Sequence, residues 1–570
     1  MNYKNSIVLL LLILSCTLSA QVKAPKWADK AKRAVVHITT YDKEGKTLGE
    51  GTAFFIDENG TALSDFSLFK GVNSAKATDY EGKEMPVELI MGINDLYNVA
   101  KIRITPPEKK KVPFLKIASV KPQIGEEVAL LAFSPQKELH VTLGSLEQIA
   151  PLGGDSYYTL SMVMGDDQTS APVLTEKGEV FGLAQKAVSS SGKAYAMAAS
   201  FANNLSIAPL SFNDNLLNGI GIAKDLPATQ EQALAMLYIA SSTIDKDRYY
   251  DLLNRFIQRY PNASEGYQLR SAYYTTLFDD VPHLELAEKD MTLAMEYARD
   301  KDYAYYHNSQ CILNYVARHD STTSAYKDWT YQKSLDEVQK AIAINPQPIY
   351  YQHLANIYSL MKNYEKAYEM YEKVNQTNLA SPSTFYAASR LKRIMNDTTG
   401  IALALMDSCI SRFNTPYTTE AAPYLFERAE MRTFAGRDAE ALQDYDAYEK
   451  CAPSPPNAIF YYRREQAAMR AGKIDRALQD IQKALSLSPN DASLLEEAGS
   501  IYVTIFRYDD ALKKLDAALA KEPNRPYAWR LKGYALLKQD KKEEARKALL
   551  RGKELGDDVS AQLLGRFYKE

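Results

Sequence analysis

The sequence is poor in cysteine and histidine and carries almost no net charge. Its four cysteines are Cys16, Cys311, Cys409 and Cys451. They are widely spaced and form no metal-ligand pattern, so no metal and no cofactor is expected. Cys311, Cys409 and Cys451 read as small buried helix residues, with a Cys409–Cys451 disulfide as the alternative in an oxidising compartment. A net charge of −3 gives no reason to expect nucleic acid or an anionic membrane surface as a partner. Beyond the N-terminus no apolar run is long enough to span a bilayer, so no transmembrane span is expected. Length and tyrosine are what the chain has in excess. At 570 residues it is too long for a single core. Its 39 tyrosines combine an apolar body with a polar tip, which suits helix packing and peptide grooves alike.

Residues 1–20 read as an export signal. Lys4 supplies the charge, Ile7 to Leu14 the apolar run, and Leu18-Ser19-Ala20 a small-residue exit before Gln21. The alternative takes Ile13-Leu14-Ser15-Cys16 as a lipobox, with Cys16 as a lipid anchor. Both readings export the protein, to the periplasm or outer membrane, alternatively as a secreted protein.

Residues 25–205 read as short strands with turn signals between them. After a short helical lead from Pro25 to Arg33, strands are expected at Ala34 to Ile38, Gly51 to Asp57, Thr61 to Ser64, Val87 to Ile90 and Val99 to Ile104. Others are expected at Glu127 to Phe133, Val141-Thr142, Tyr157 to Val163 and Val180 to Leu183. Asn59-Gly60 supplies a hairpin turn. This rhythm suggests a sandwich or a pair of barrels.

One stretch carries the chemical question. Gly165-Asp166-Asp167-Gln168-Thr169-Ser170-Ala171-Pro172-Val173 resembles the nucleophile turn G-N-S-G-G-P-[LV] of Do-type trypsin-like serine proteases. Upstream, Gly51-Thr52-Ala53-Phe54-Phe55-Ile56 is similar to that family's G-T-G-F-[FIV]-I. Leu63 to Gly71 is similar to its L-T-N-x-H-V-V-x-G, and Asn98 to Ile104 to its D-L-A-V-L-K-I. The resemblance spans about residues 30–205 and implies a trypsin-like double barrel. It places Thr169 at the nucleophile, Ser67 at the histidine and Asn98 at the aspartate.

That set lacks the parts the mechanism needs. A hydroxyl must attack, an imidazole must take its proton, and a carboxylate must hold the imidazole. Ser67 cannot accept a proton near neutral pH, so Thr169 has no base. The only histidines of this half are His37 and His140, neither at the matching position, and both read as structural. Asp167 replaces the glycine whose N–H helps bind the oxyanion, and its carboxylate would repel that charge. The expectation is a pseudoprotease, with no catalytic residue.

Residues 206–225 read as a linker. Residues 226–570 repeat with a period of about 34. Ala477, Ala511 and Ala545 recur at that spacing, each preceded by Tyr461, Leu495 and Trp529, with Gly499 and Gly533 in the last two units. This is similar to the tetratricopeptide (TPR) signature, which implies stacked helix pairs in a right-handed all-α solenoid. Eight or nine pairs are expected over 228–558, with Val559 to Glu570 as a capping helix. The resemblance implies a concave groove lined by Gln352, Asn356, Phe426, Glu430, Tyr462, Gln466, Glu496, Ser500, Arg530 and Tyr534. Their aromatic and polar mix differs from the basic clamp that captures an acidic peptide end.

Two functions follow as expectations. The first is an exported scaffold, non-catalytic in its barrel, that binds peptides or partner proteins of an envelope complex through the repeats. The second is an active serine-type endopeptidase whose repeats recruit substrates.

Overall fold

The computed structural model describes residues 25–568 except 107–109, 135–137, 139, 186–191, 320–325 and 398–399. The expected signal and Cys16 lie outside the described residues.

The first barrel is built from β1 (Val35–Tyr41), β2 (Thr47–Phe55), β3 (Thr61–Ser64), β4 (Ser74–Thr78), β5 (Glu84–Asn94) and β6 (Val99–Ile104). The strands run in the order β5-β4-β1-β2-β3-β6, and β5 pairs with β6 to close the ring. Strand β1 is rich in β-branched residues, which suit a pleated, half-buried surface. Alternation then divides its side chains between two cores. Val36 and Ile38 enter the barrel interior with Ala53, Phe55 and Ile102. Val35 and Phe54 turn the other way, into a cluster with Leu63, Leu131, Leu174 and Leu183. The β2–β3 turn closes at Gly60, whose φ of +89° suits glycine.

The second barrel holds β7 (Glu127–Ala132), β8 (His140–Leu152), β9 (Asp155–Leu160), β10 (Pro172–Thr175), β11 (Val180–Gln185) and β12 (Ala194–Ala198). It closes in the order β10-β11-β12-β9-β8-β7. Leu131, Leu174 and Leu183 come from this barrel, so the second cluster is the layer that joins the two. The trypsin-like double barrel implied by the sequence is present.

Residues 206–225 are woven into the first barrel. Strand β13 (Ala223–Lys224) adds to β5 in parallel. Ile207, Leu217, Ile220 and Ile222 are buried in the same core as Val36. So are Met236 and Leu237 of helix α1 (Gln230–Thr243) and Leu252 and Phe256 of α2 (Lys246–Arg259). One compact unit therefore runs past this segment to Leu277 and takes in 285–298; the second holds 278–284 and 299–570.

From Gln230 onward the described helices form nine consecutive pairs and a final helix, Asp558–Phe567. Within the second unit, Gly499 and Gly533 are where paired helices touch. A Cβ on Gly499 would stand 2.6 Å from Leu515 Cγ, and one on Gly533 2.6 Å from Leu549 Cγ. Two pairs carry a largely buried arginine on the first helix that grips an aspartate of the second. Arg428 grips Asp444 at 2.6 and 3.0 Å, and Arg464 grips Asp480 at 2.7 and 2.9 Å. In the first unit Arg270 grips Asp290 the same way, at 2.7 and 2.8 Å. The three described thiols, Cys311, Cys409 and Cys451, are buried and form no disulfide, so Cys409 and Cys451 are not joined.

Candidate functional site

Of the three triad positions, Ser67 bonds the buried Asp65, Asn98 bonds Ser67, and Thr169 lines the same cleft as Asp65. Asp65 follows β3 and is only 7% exposed. Its carboxylate accepts from the Ser67 hydroxyl at 2.7 Å, the Leu68 N–H at 2.8 Å and the Ser170 hydroxyl at 2.6 Å. The Asp65 N–H donates back to Ser170 Oγ at 3.2 Å. Asn98 stands beside Ser67, its Oδ1 accepting the Ser67 N–H at 2.7 Å. Ser67 and Asn98 are therefore in direct contact. What joins them to the turn before β10 is Asp65 and Ser170, neither of which the motif comparison singled out.

The turn itself is a short 3-10 helix, Asp166–Gln168. The Gln168 side chain folds back to accept the Gly165 N–H at 2.9 Å and also donates to Thr142 Oγ1 at 3.0 Å. The Thr169 N–H points to the Asp166 carbonyl at 3.3 Å. In a working protease the amide of the nucleophile itself faces the oxyanion; here it is turned inward. Ser170 holds a φ of +65°, at a position where the resembling family has glycine.

A cleft of 650 Å³ opens beside this turn. Thr169 and Asp65 line it together with Glu50, Asp79, Asp166 and Asp167. His37, which the sequence reading set aside as structural, lines it too. Its imidazole stacks on Phe133 at 5.6 Å and lies 3.5 Å from Glu50. Among the described residues no hydrogen bond joins His37 to Thr169 or Ser67. His140 is not among the residues that line this cleft and lies 3.8 Å from Glu138. Among the described residues no group of His, Cys, Asp and Glu is arranged to hold a metal ion. Nor is any described helix long and apolar enough to cross a membrane.

The ten groove positions behave differently from one another. Tyr371 donates to Asn356 at 2.6 Å, and Tyr445 donates to Glu430, so both are tied to a second helix. Phe426 packs against Tyr448 and Tyr445 at 5.4 and 5.9 Å, and with Tyr462 it borders the core. Glu496 pairs with Arg525 at 2.9 and 3.0 Å. Ser500 bonds the Tyr527 hydroxyl at 3.0 Å. Arg530 covers the Tyr527 ring at 4.6 Å and reaches Asp557 at 3.1 Å. Lys538 covers the Tyr534 ring at 5.4 Å. Gln352 and Gln466 are half-buried.

Sequence reading missed a second feature of the same helices. Leu360, Ile394 and Phe434 are each the last residue of a first helix, in three consecutive pairs. They are 46%, 50% and 96% exposed. A cavity of 770 Å³ lies beside Phe434, lined also by Arg393, Asp397, Leu403 and Glu430. The corresponding last residues of the next three first helices are Arg470, Thr504 and Lys538.

The tetratricopeptide repeat family model matches residues 506–558. It covers the helix Tyr508–Lys521, which carries Leu515, and the next pair, Pro526–Lys538 and Lys542–Glu554, which carries Gly533 and Leu549. The TPR region so marked is of a kind that mediates protein–protein contact. No curated protein matches the chain.

Proposed function

We propose that the protein is an exported TPR scaffold that binds peptides or partner proteins of an envelope complex, with a catalytically inactive trypsin-like domain. The observation that carries the binding reading is the row Leu360, Ile394 and Phe434. Three exposed apolar side chains at one repeat position, the last of them, Phe434, lining a 770 Å³ cavity, suit an extended partner segment that places an apolar side chain next to Phe434. Exposed apolar surface of this kind is costly to keep unless something covers it. Affinity purification from the native envelope tests the reading. Partners should be recovered with the whole chain and lost with Phe434→Ser. Equal recovery by both would overturn it.

The inactive reading of the barrel rests on three features. The Ser67 hydroxyl is spent on Asp65, the Thr169 amide is turned to Asp166, and acidic groups dominate the cleft wall. An oxyanion forming there would meet repulsion in place of donors.

The position of His37 on the cleft favours the second reading, a serine-type endopeptidase with a rearranged base. A fluorophosphonate probe separates the two: labelling that disappears in Thr169→Ala supports the peptidase.

A further inference from the structure

A second, smaller cavity lies where residues 206–225 meet α2. It measures 220 Å³. Its wall is basic: Lys224 of β13 and Arg248 and Arg255 of α2 all line it, with Asp251 the one carboxylate among the lining residues. Arg248 and Arg255 are seven residues apart, so they lie two turns apart on one face of the helix. Ser211 lines the same cavity from the turn Pro209–Asn213. It is only 6% exposed, and its hydroxyl has no hydrogen-bond partner among the described residues. A buried hydroxyl without a partner is an unmet cost in a folded protein.

The cations are only partly satisfied. The Lys224 ammonium donates to the Ile220 carbonyl and has further donors to spare. Burial pushes it down to about 8, and the charge of Arg248 pushes the same way. Arg255 donates one Nη1 to the Lys224 carbonyl at 2.6 Å and its Nε to the Asp251 carbonyl at 3.4 Å, both backbone oxygens. Arg248 Nε also pairs with Asp245 at 3.2 Å, and Asp225, Asp251 and Glu88 offset part of the Arg255 charge. Three cationic heads, each with donors left over, and a hydroxyl without a partner among the described residues thus come together from a turn, a strand and a helix.

We propose that this cavity binds a phosphate-sized oxyanion from solution, held by Lys224, Arg248 and Arg255, with the Ser211 hydroxyl as a further donor. The volume fits an ion of a few atoms and is below the usual size of a pocket for larger ligands. A tetrahedral ion offers oxygens in several directions, which matches donors arriving from three separate elements. Bound there, it would satisfy Ser211, neutralise the Lys224–Arg248 repulsion and fasten residues 206–225 to α2.

Calorimetric titration of the full chain with inorganic phosphate at fixed ionic strength is the test, with a thermal melt alongside. Phosphate should bind saturably and raise the first melting transition by roughly 3 °C, whereas sodium chloride of equal ionic strength should not. Arg248→Gln, an exposed change that leaves the fold intact, should weaken phosphate binding roughly tenfold. Lys224→Met should do the same, and Lys246→Gln, which is outside the cavity, should leave it unchanged. No saturable binding by the wild-type chain would overturn the proposal. So would equal affinity in Arg248→Gln, or binding to anionic lipid vesicles without binding of the free ion.

Discussion

The Ser170 hydroxyl donates to a carboxylate oxygen of Asp65 at 2.6 Å, across 105 residues of sequence. Asp65 directly follows β3 of the first barrel, and Ser170 lies two residues before β10 of the second. This hydrogen bond is a staple between the two barrels. The staple is buried, so its loss removes the Ser170 donor from Asp65 Oδ2, while Ser67 and Leu68 still donate to Oδ1.

Ser170→Ala should destabilise the first unit by about 1–3 kcal/mol. Ser170→Gly loses the same hydrogen bond but removes the cost of a side chain at φ +65°, which is worth about 1 kcal/mol. The expected order of melting midpoints in calorimetry is therefore wild type, then Gly, then Ala.

Arg464 and Asp480 make the corresponding test in the repeats. Both are nearly fully buried, and Arg464 also reaches Glu449 at 2.6 Å. Arg464→Met should cost about 3–5 kcal/mol, because it strands a buried carboxylate. Arg464→Met combined with Asp480→Leu should recover most of that loss. Denaturant titration of the two variants checks the order.

Glu465 predicts a pH dependence. It is fully buried, neither carboxylate oxygen has a partner among the described residues, and it occupies the place that Gly499 and Gly533 hold in later repeats. Burial first, then the charges of Glu497 and Asp480, push its carboxyl up to about 8, with Arg470 opposing. A raised carboxyl keeps its proton when folded and loses it when unfolded. Stability from this group therefore falls as pH rises from the ordinary glutamate value near 4.5 to about 8 and is flat beyond. Glu465→Gln should remove that slope and stabilise the repeats at pH 8, by an amount on the order of a few kcal/mol. Melting curves of both proteins between pH 5 and 8 should diverge as pH rises.

Gly499→Ala should destabilise despite the better helix propensity of alanine, which is worth about 1 kcal/mol. The new Cβ would fall 2.6 Å from Leu515 Cγ, and Leu515 is fully buried. An overpacking cost of about 1–3 kcal/mol outweighs the gain. Adding Leu515→Ala should make the two changes less than additive in a double-mutant cycle.

How much of this was legible in the sequence varied with the reach of the interactions. Strands β3 and β6 fall at Thr61–Ser64 and Val99–Ile104 as the pattern predicts, because their alternation is local. Strand β8 was reduced to Val141-Thr142, yet it runs from His140 to Leu152. Gly144, Glu147 and Pro151 within it mask the alternation, and pairing with β7 and β9 supplies what the residues do not. Strand β4 is Ser74-Ala75-Lys76-Ala77-Thr78, too small and polar to announce itself. Residues 206–225 look like a linker in composition, but Ile207, Leu217, Ile220 and Ile222 find a core only after the barrel forms.

The candidate site followed the same rule. The motif comparison located Ser67, Asn98 and Thr169, while Asp65 and Ser170 gain meaning only from a contact across the two barrels. Arg428 and Arg464 obscure the repeat signature because an arginine on that face needs its aspartate to be buried. Glu465 interrupts it with no hydrogen-bond partner among the described residues.

The central claim is that the barrel does not cut and the repeats bind. The most direct measurement is hydrolysis of unfolded casein by the full chain, with fluorophosphonate labelling, compared with Thr169→Ala. The account predicts no turnover above the uncatalysed background and no labelling that depends on Thr169. Casein cleavage or probe labelling that is present in the wild-type protein and lost in Thr169→Ala would contradict it.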